Sequence, residues 1–240
     1  MPKDYFLGIS HFKCYNQNIK LYLKDRKMKF EYGLDLEELE KRCDKEYLLT
    51  KKMLDVDSKE FLALKDVDKK ALSYLVKAAR IIEKINKQLD SHYNLDFEKF
   101  LDKEIKKKNK QAILTKKLYD AQKGIFALDC ESNMVILAKG LEFKKGRGFY
   151  PVDLTKEEFH KILIKMIEEN KIDEVRKILN QRSVVERKKD ELVAIDYVDK
   201  FKDDFKKAAE LLLRASCLSS NIDFNEYLRL QAEAFTKADP

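Results

Sequence analysis

Glycine and proline are scarce in this sequence of 240 residues, which contains six of the first and three of the second. An average chain of this length carries roughly three times as many. Sandwiches, barrels and propellers need a turn about every ten residues, and tight turns depend on these two residue types. The shortage therefore argues against all-β architectures and favours a helix-rich fold.

Histidine and cysteine are rare as well. The three histidines, His11, His92 and His160, lie far apart, so neither HExxH nor HExxxH occurs. A helical metal site needs two imidazoles one turn apart on one face. The four cysteines form no CxxC pair, which argues against zinc knuckles and thioredoxin-type motifs. GxxxxGK[ST], GxGxxG and GxSxG are also missing, so the sequence predicts no metal ligand and no cofactor in this chain.

Long apolar runs are missing too. No stretch reaches the ~18–20 apolar residues that cross a membrane. The apolar residues among the first twelve are too few and too interrupted for an export signal. Because nothing implies an oxidising compartment, we interpret the cysteines as reduced thiols. The sequence therefore predicts a cytoplasmic protein with no membrane partner.

Charge is abundant and unevenly placed. Charged residues make up 39% of the chain, against roughly 25% in an average protein. The net charge is +7, and most of it falls in residues 99–117, where eight lysines accompany two carboxylates. Lysine runs are most often solvated helix faces, but they also attract phosphate backbones. The candidate anion or nucleic-acid contacts are Lys103, Lys106, Lys107, Lys108 and Lys110.

The first half of the chain has mostly helical patterning. Residues 1–33 have the character of irregular structure or short strands. Apolar spacing then predicts a helix over 34–54. It predicts a stronger helix further on, with Asp66 or Asp68 as the expected N-cap. The apolar run 124–143 fits either two strands around residues 131–133 or one buried helix. The apolar stripe expected to face the core in the stronger helix consists of Leu72, Leu75, Val76, Ala79, Ile82 and Ile85.

The second half begins after a loop at residues 146–148. Thr155 and Glu158 fit the S/T-x-x-E capping box, in which each side chain bonds the other residue's backbone N–H. Tyr150 and Pro151 precede this box, and we expect these four residues to have structural roles. Alternation at 183–187 and 191–197 predicts a hairpin. Two further helices follow, the last capped near Asn221 or Asp223.

Together these patterns predict a mainly α (α+β) fold, a helical bundle-like domain with a small β-hairpin or short sheet. Residues 1–145 are expected to form an N-terminal helical region. Residues 146–240 are expected to form a second helical region, which contains the capping-box helix, the hairpin and two C-terminal helices.

Three segments carry a family resemblance, in the order in which the family has them. GFYPVDLTKEEF at 148–159 resembles the FYP-x-D-[ML]-TKEEFE segment of dipeptidyl peptidase III-like zinc peptidases, most closely their bacterial and plant Nudix-fused branch. SVVER and ELVAIDY at 183–187 and 191–197 resemble the family's hairpin. AAELL and YLRLQAEAF at 208–212 and 227–235 resemble its helical pair. The resemblance covers 146–237, and 66–85 faintly.

This resemblance implies a two-lobed peptidase whose N-terminal part forms one wall of the substrate cleft. The family holds zinc with HExxxH and a further Glu downstream of the matching segments, and this chain has neither. No zinc ligand, general base or substrate-binding residue is therefore carried over. The resemblance implies zinc for a full-length member, with the remainder of the peptidase and the peptide substrate of the parent enzyme as partners.

Three hypotheses about function follow. The first is a non-catalytic N-terminal lobe or fragment of a peptide-hydrolysing enzyme, with no activity of its own. The second is a helical scaffold that binds nucleic acid or protein partners through residues 99–117. The third is a metal-free acid–base enzyme, whose paired carboxylates a sequence does not reveal.

Overall fold

The computed structural model describes residues 28–44, 55–189 and 191–237. Within these ranges the chain forms ten helices and two antiparallel hairpins, which confirms the predicted fold class. The elements in chain order are α1 (Leu36–Arg42), α2 (Lys59–Leu62), α3 (Asp66–Asp90), α4 (Asn94–Lys106), α5 (Lys110–Gln122), β1 (Phe126–Leu128), β2 (Met134–Ile136), α6 (Lys156–Glu168), α7 (Ile172–Ile178), β3 (Ser183–Lys188), β4 (Glu191–Asp196), α8 (Tyr197–Lys200), α9 (Lys202–Ser216) and α10 (Ile222–Lys237).

Some predictions lie outside the described residues. These are the irregular structure expected before residue 28, the helical positions 45–54 and the third residue of the hairpin turn, Asp190. His11 and Cys14 lie outside them too. Within the described part of the chain, none of the helices is both long enough and apolar enough to cross a membrane.

Helix α3 is the longest element and packs against both C-terminal helices. Its core contacts with α9 and α10 consist largely of alanines, which let helix backbones approach closely. The buried members of this cluster are Ala71, Ala78, Ala209, Leu212, Ala215, Leu228 and Ala232. The predicted stripe is confirmed at Leu75, Ile82 and Ile85, which pack in the core. It differs near the start of the helix, where Ala71 and Ala78 are buried rather than Leu72 and Ala79.

The predicted N-cap of α3 is wrong. The N-cap is Lys65, which makes no side-chain capping bond. Asp68 instead accepts hydrogen bonds from the backbone N–H and the hydroxyl of Ser220, both at 2.8 Å. These bonds hold the pKa of Asp68 below its usual range. The carboxylate thus ties the first turn of α3 to the loop before α10. At that loop Asn221 accepts from the Phe224 backbone N–H, as predicted.

Residues 124–143 form strands rather than a helix. The hairpin pairs Phe126 with Ile136, and its turn is closed by Asp129, whose carboxylate accepts from two backbone N–H groups of the turn. Ser132 in this turn has a positive φ of 64°. The hairpin lies next to a core formed mainly by α4 and α5, in which Phe97, Leu101 and Tyr119 are fully buried or nearly so.

The second hairpin lies where it was predicted. Strands β3 and β4 pair from Ser183 with Asp196 to Lys188 with Glu191. Val185 and Leu192 face α6 and α7, whereas Val184 faces α3 and Phe201. The hairpin is therefore clamped between two layers of helices.

Packing crosses the predicted boundary at 145/146. Helix α3 lies before it and α9 after it, yet they share one hydrophobic cluster. Ile85 of α3 likewise packs with Val184 and Phe201. The described residues from Tyr32 onward form one compact unit, and one of its hydrophobic clusters contains helices from both sides of residue 145.

Helix α6 begins at the predicted capping residue. The Thr155 hydroxyl accepts from the Glu158 backbone N–H at 3.1 Å. Leu154 before the cap and Phe159 after it both pack against the cluster that contains Met166. The start of the helix is therefore fixed by one polar cap and two apolar contacts.

Removing the cap should have a modest cost. We expect Thr155→Ala to lower the free energy of unfolding by about 0.5–2 kcal/mol, because a helix N–H loses its acceptor. Denaturation in urea measures this, and Thr155→Ser, which keeps the hydroxyl, is the control. An unchanged midpoint for Thr155→Ala would show that the hydroxyl contributes nothing to the start of α6.

Candidate functional site

A groove opens where the C-terminal end of α3 meets strand β3, and we call it the α3–β3 groove. Its volume is about 520 Å³. One wall is the end of α3 and the start of α4, and the other is β3 with the end of α8. It is lined by Gln88, Leu89, His92, Leu95, Asp96, Lys99, Gly148, Pro151, Val184, Val185, Glu186, Arg187, Lys200 and Phe201.

The segment that carries the FYP motif joins the two walls. The Gly148 backbone N–H donates to the Leu89 carbonyl at 2.9 Å, at the end of α3. One residue later the Phe149 carbonyl accepts from the Val185 backbone N–H of β3 at 2.7 Å. Residues 148–150 are thus hydrogen-bonded to both sides, and they set the distance between α3 and β3.

Tyr150 and Pro151 of the FYP motif both have structural contacts at the groove. The Tyr150 carbonyl lies 2.8 Å from His92 Nε2, and since a carbonyl only accepts, that imidazole nitrogen carries the proton. The Tyr150 hydroxyl donates to the Ile178 carbonyl at 3.3 Å, and burial raises the pKa of Tyr150. Pro151 lines the groove directly.

Four of the five charged side chains of the groove form two ion pairs with one another. Lys99 lies 2.8 Å from Asp96, and Lys200 forms an ion pair with Glu186. Apolar side chains, including Leu89, Leu95, Val184 and Phe201, line the rest of it. None of the lining residues is a serine, threonine or cysteine. Paired charges beside apolar surface are typical of a ligand-binding cleft.

Arg187 connects the groove to the capping box. Its guanidinium makes two bonds to the Glu158 carboxylate, at 2.7 and 3.0 Å, and lies 3.5 Å from Asp153. The hydrogen bond from Arg187, more than any other interaction, holds the pKa of Glu158 below its usual range. The Thr155 backbone N–H contributes less to this lowering. The carboxylate of the capping box is thus directed mainly at β3.

This ion pair should make part of the stability depend on pH. A carboxyl with a lowered pKa stabilises the fold above its unfolded value, about 4.3, and that contribution disappears as the pH falls through the lowered value. We expect wild type to exceed Glu158→Gln in free energy of unfolding at pH 7, with the difference shrinking towards pH 3. Urea denaturation across this range measures it, and Arg187→Lys tests the two-bond geometry. A difference that stays constant with pH would contradict the role of the ion pair.

The candidate lysines lie at the turn between α4 and α5, and none of them lines the α3–β3 groove. Lys107 pairs with Glu104 at 2.7 Å, and Lys110 pairs with Glu40 at 2.5 Å. With the described residues, the side chains of the other three, Lys103, Lys106 and Lys108, make no hydrogen bond or ion pair, although the Lys108 backbone N–H donates to the Ile105 carbonyl.

A second, more polar cavity of about 520 Å³ lies between α3, α4 and α5. Nζ of the buried Lys87 is 2.8 Å from Glu98 and 5.1 Å from the centre of the Tyr119 ring. Lys116 shares Glu98 at 3.3 Å and pairs with Asp120 at 2.8 Å. Burial opposes the charge of Lys116, but Asp120 and Glu98 together raise its pKa above the ordinary value.

This network joins three helices and was missed at the sequence level. The members that pair between different helices are 11 or more residues apart in the sequence, and each is ordinary for a charged helix. Each carboxylate of the network is paired with at least one lysine. Glu83, for example, accepts a hydrogen bond from Lys123, which keeps the pKa of Glu83 low. The arrangement is that of a brace between helices rather than of an acid–base pair.

The described residues do not fit a zinc ion. Among them no group of three or more histidine, cysteine, aspartate or glutamate side chains is placed to hold a metal. His92 is bonded to the Tyr150 carbonyl, and the His160 ring lies at a tilt of 40° to the Phe159 ring, with 6.3 Å between the ring centres. The zinc implied for a full-length member of the family therefore has no ligand set in this part of the chain.

Comparison with known proteins identifies two solved structures with a similar fold. No protein-family model matches the sequence, and no curated protein does. DPP III from Caldithrix abyssi is similar over 73% of this chain, with 27% identity and a TM-score of 0.58. Dipeptidyl-peptidase III from Corallococcus sp. strain EGB is similar over 78%, with 21% identity and a TM-score of 0.60.

The chain spans about a third of the length of these two proteins, 32% of the first and 33% of the second. Two thirds of each neighbour therefore has no counterpart here. Over roughly three quarters of its length, this chain has a DPP III-like fold.

Proposed function

We propose that this chain is a non-catalytic N-terminal lobe of a DPP III-like zinc peptidase, whose complete form hydrolyses peptides. The observation that carries the proposal is the shared fold with Caldithrix abyssi DPP III at 27% identity over 73% of the chain. The order of the three matching segments at 148–159, 183–197 and 208–235 supports it independently. We further propose that the parent enzyme belongs to the Nudix-fused branch, because the sequence of the first segment resembles that branch most closely.

The α3–β3 groove gives this lobe a role in the parent enzyme. Its apolar lining and paired charges suit a polypeptide, and the hydrogen-bonded link through residues 148–150 fixes its width. We place the groove on the wall of the lobe that faces the substrate cleft. The partners are then the remainder of the peptidase and the peptide substrate of the parent enzyme. Catalysis would come from groups outside this chain.

We also propose the cytoplasm as the location. Cys43, Cys130 and Cys217 are free thiols, and a reducing compartment keeps thiols in that state. Cys43 is buried, where its thiol donates to the Leu114 carbonyl at 3.3 Å, and burial raises its pKa.

This proposal can be tested on the native protein in the cells that produce it. Antibodies against this chain would precipitate it, and intact-mass and peptide mass spectrometry would identify every polypeptide present. We expect a polypeptide with HExxxH, either continuous with this chain or bound to it. The precipitate should release dipeptides from a dipeptidyl arylamide, lose this activity on chelation and regain it with zinc. A 28.4-kDa product with neither HExxxH partner nor activity would refute the proposal.

A further inference from the structure

Helix α10 carries two apolar stripes, and only one of them is covered. The inner stripe, which includes Leu228 and Ala232, packs against α9 and α3. The outer stripe consists of Phe224, Tyr227 and Leu230, which are 37%, 53% and 55% exposed. The rings of Phe224 and Tyr227 are stacked on each other at 6.1 Å. A helix that is apolar on two sides is typical of a helix packed on two sides.

The outer stripe borders a concave surface. Between α9 and α10 lies a groove of about 400 Å³, with small alanines in its lining and the half-exposed Leu213 and Leu230 on either helix. We call it the α9–α10 groove. Its polar lining comes from Lys206, Glu210, Glu226, Arg229, Glu233 and Thr236.

We infer that the α9–α10 groove is the docking site for a helix of the remaining part of the peptidase. This inference rests on the proposed function. Ridges of a third helix fit the groove between two packed helices, and alanines in the lining permit close approach. The charged lining has three carboxylates and two cations, so it offers no net positive charge to a nucleic acid or an anionic membrane and suits a protein of mixed charge.

The two neighbours give the reason why such a partner exists. Each shares the fold of this chain and continues for about twice its matched length. We expect that additional chain to pack on a face of the shared region. The α9–α10 groove offers it a concave apolar surface on the helical pair that the family resemblance includes.

Site-specific photo-crosslinking in the native host tests this docking site. The photoreactive amino acid p-benzoylphenylalanine would replace Leu213 or Leu230 in the complete native gene. The matched control is the same replacement at Ile164 of α6, which is 57% exposed. Peptide mass spectrometry after irradiation and antibody precipitation identifies the residues that are joined. Leu230→Asp combined with the probe at position 213 tests whether docking depends on the apolar surface.

We expect crosslinks from positions 213 and 230 to a segment of the HExxxH polypeptide, none from 164, and at least a fivefold loss with Leu230→Asp. An HExxxH polypeptide that crosslinks to position 164 but not to 213 or 230 would overturn the docking site and leave the proposed function standing. A crosslink between two copies of α10 would overturn it too. Absence of any HExxxH polypeptide would refute the proposed function, and the docking site with it.

Discussion

Gly148→Ala is expected to lower the free energy of unfolding by about 3 kcal/mol or more, because it forces α3 and β3 apart. A Cβ atom at this position would lie 1.9 Å from the Gln88 carbonyl oxygen and 3.0 Å from the Leu89 Cα. Both are backbone atoms of a long helix, so neither moves without shifting that helix. The added methyl group would also weaken the hydrogen bond from the Gly148 N–H to the Leu89 carbonyl.

Such a loss is a large share of the 5–15 kcal/mol that typically stabilises a domain. Urea denaturation followed by helical circular dichroism measures it. The matched control is Gly146→Ala in the same loop, where the new Cβ meets only the Tyr150 side chain, at 3.2 Å. We expect this control to cost less than about 1.5 kcal/mol. Equal losses of unfolding free energy for the two substitutions would show that the close approach of Gly148 to the α3 backbone does not matter for stability.

The periodicity of apolar residues predicted the helices well, and local side chains predicted where several of them begin. The capping threonine of α6 and Asn221 before α10 are short-range features, so the sequence reveals them. The buried stripe of α3 was predicted correctly at Leu75, Ile82 and Ile85, but Ala71 and Ala78 were missed because alanine is only weakly hydrophobic. They face the core because their small size lets α9 approach, which only the packed structure determines.

Long-range pairing explains what was missed. Asp68 was expected to cap its own helix, but its carboxylate instead accepts a hydrogen bond from the Ser220 hydroxyl, 152 residues later in the sequence. Lys110 was a candidate for anion contact, yet it pairs with Glu40, 70 residues earlier. The α3–β3 groove draws on segments around residues 88–99, 148–151 and 184–201. The FYP motif and the strand at 183–187 were found in the sequence, the first as a resemblance and the second as an alternating pattern, but their position beside α3 was not predicted.

Asn94→Leu is expected to lower the free energy of unfolding by about 2–5 kcal/mol, because it removes the hydrogen bonds of a fully buried amide. Asn94 has no exposed surface. Its Nδ2 donates to the Lys87 carbonyl at 2.9 Å and to Asp90 at 3.2 Å, while its Oδ1 accepts from the Ile125 backbone N–H at 2.9 Å. Leucine has similar volume, so the substitution mainly leaves the Ile125 N–H without a partner.

Asn94→Asp separates lost hydrogen bonds from changed packing, since its shape is that of asparagine. The introduced carboxylate still accepts from Ile125, but its second oxygen faces the Lys87 carbonyl and Asp90, which are acceptors. Burial and Asp90 should raise the pKa of this carboxyl above its unfolded value of about 3.9. Protonation then restores a donor, so its deficit relative to wild type should shrink as the pH falls from 7 towards 4. Leucine has no group that titrates, so its own deficit should stay nearly constant over that range. Parallel urea denaturation of wild type and both variants measures this, and identical pH profiles for the two variants would contradict the assigned hydrogen bonds.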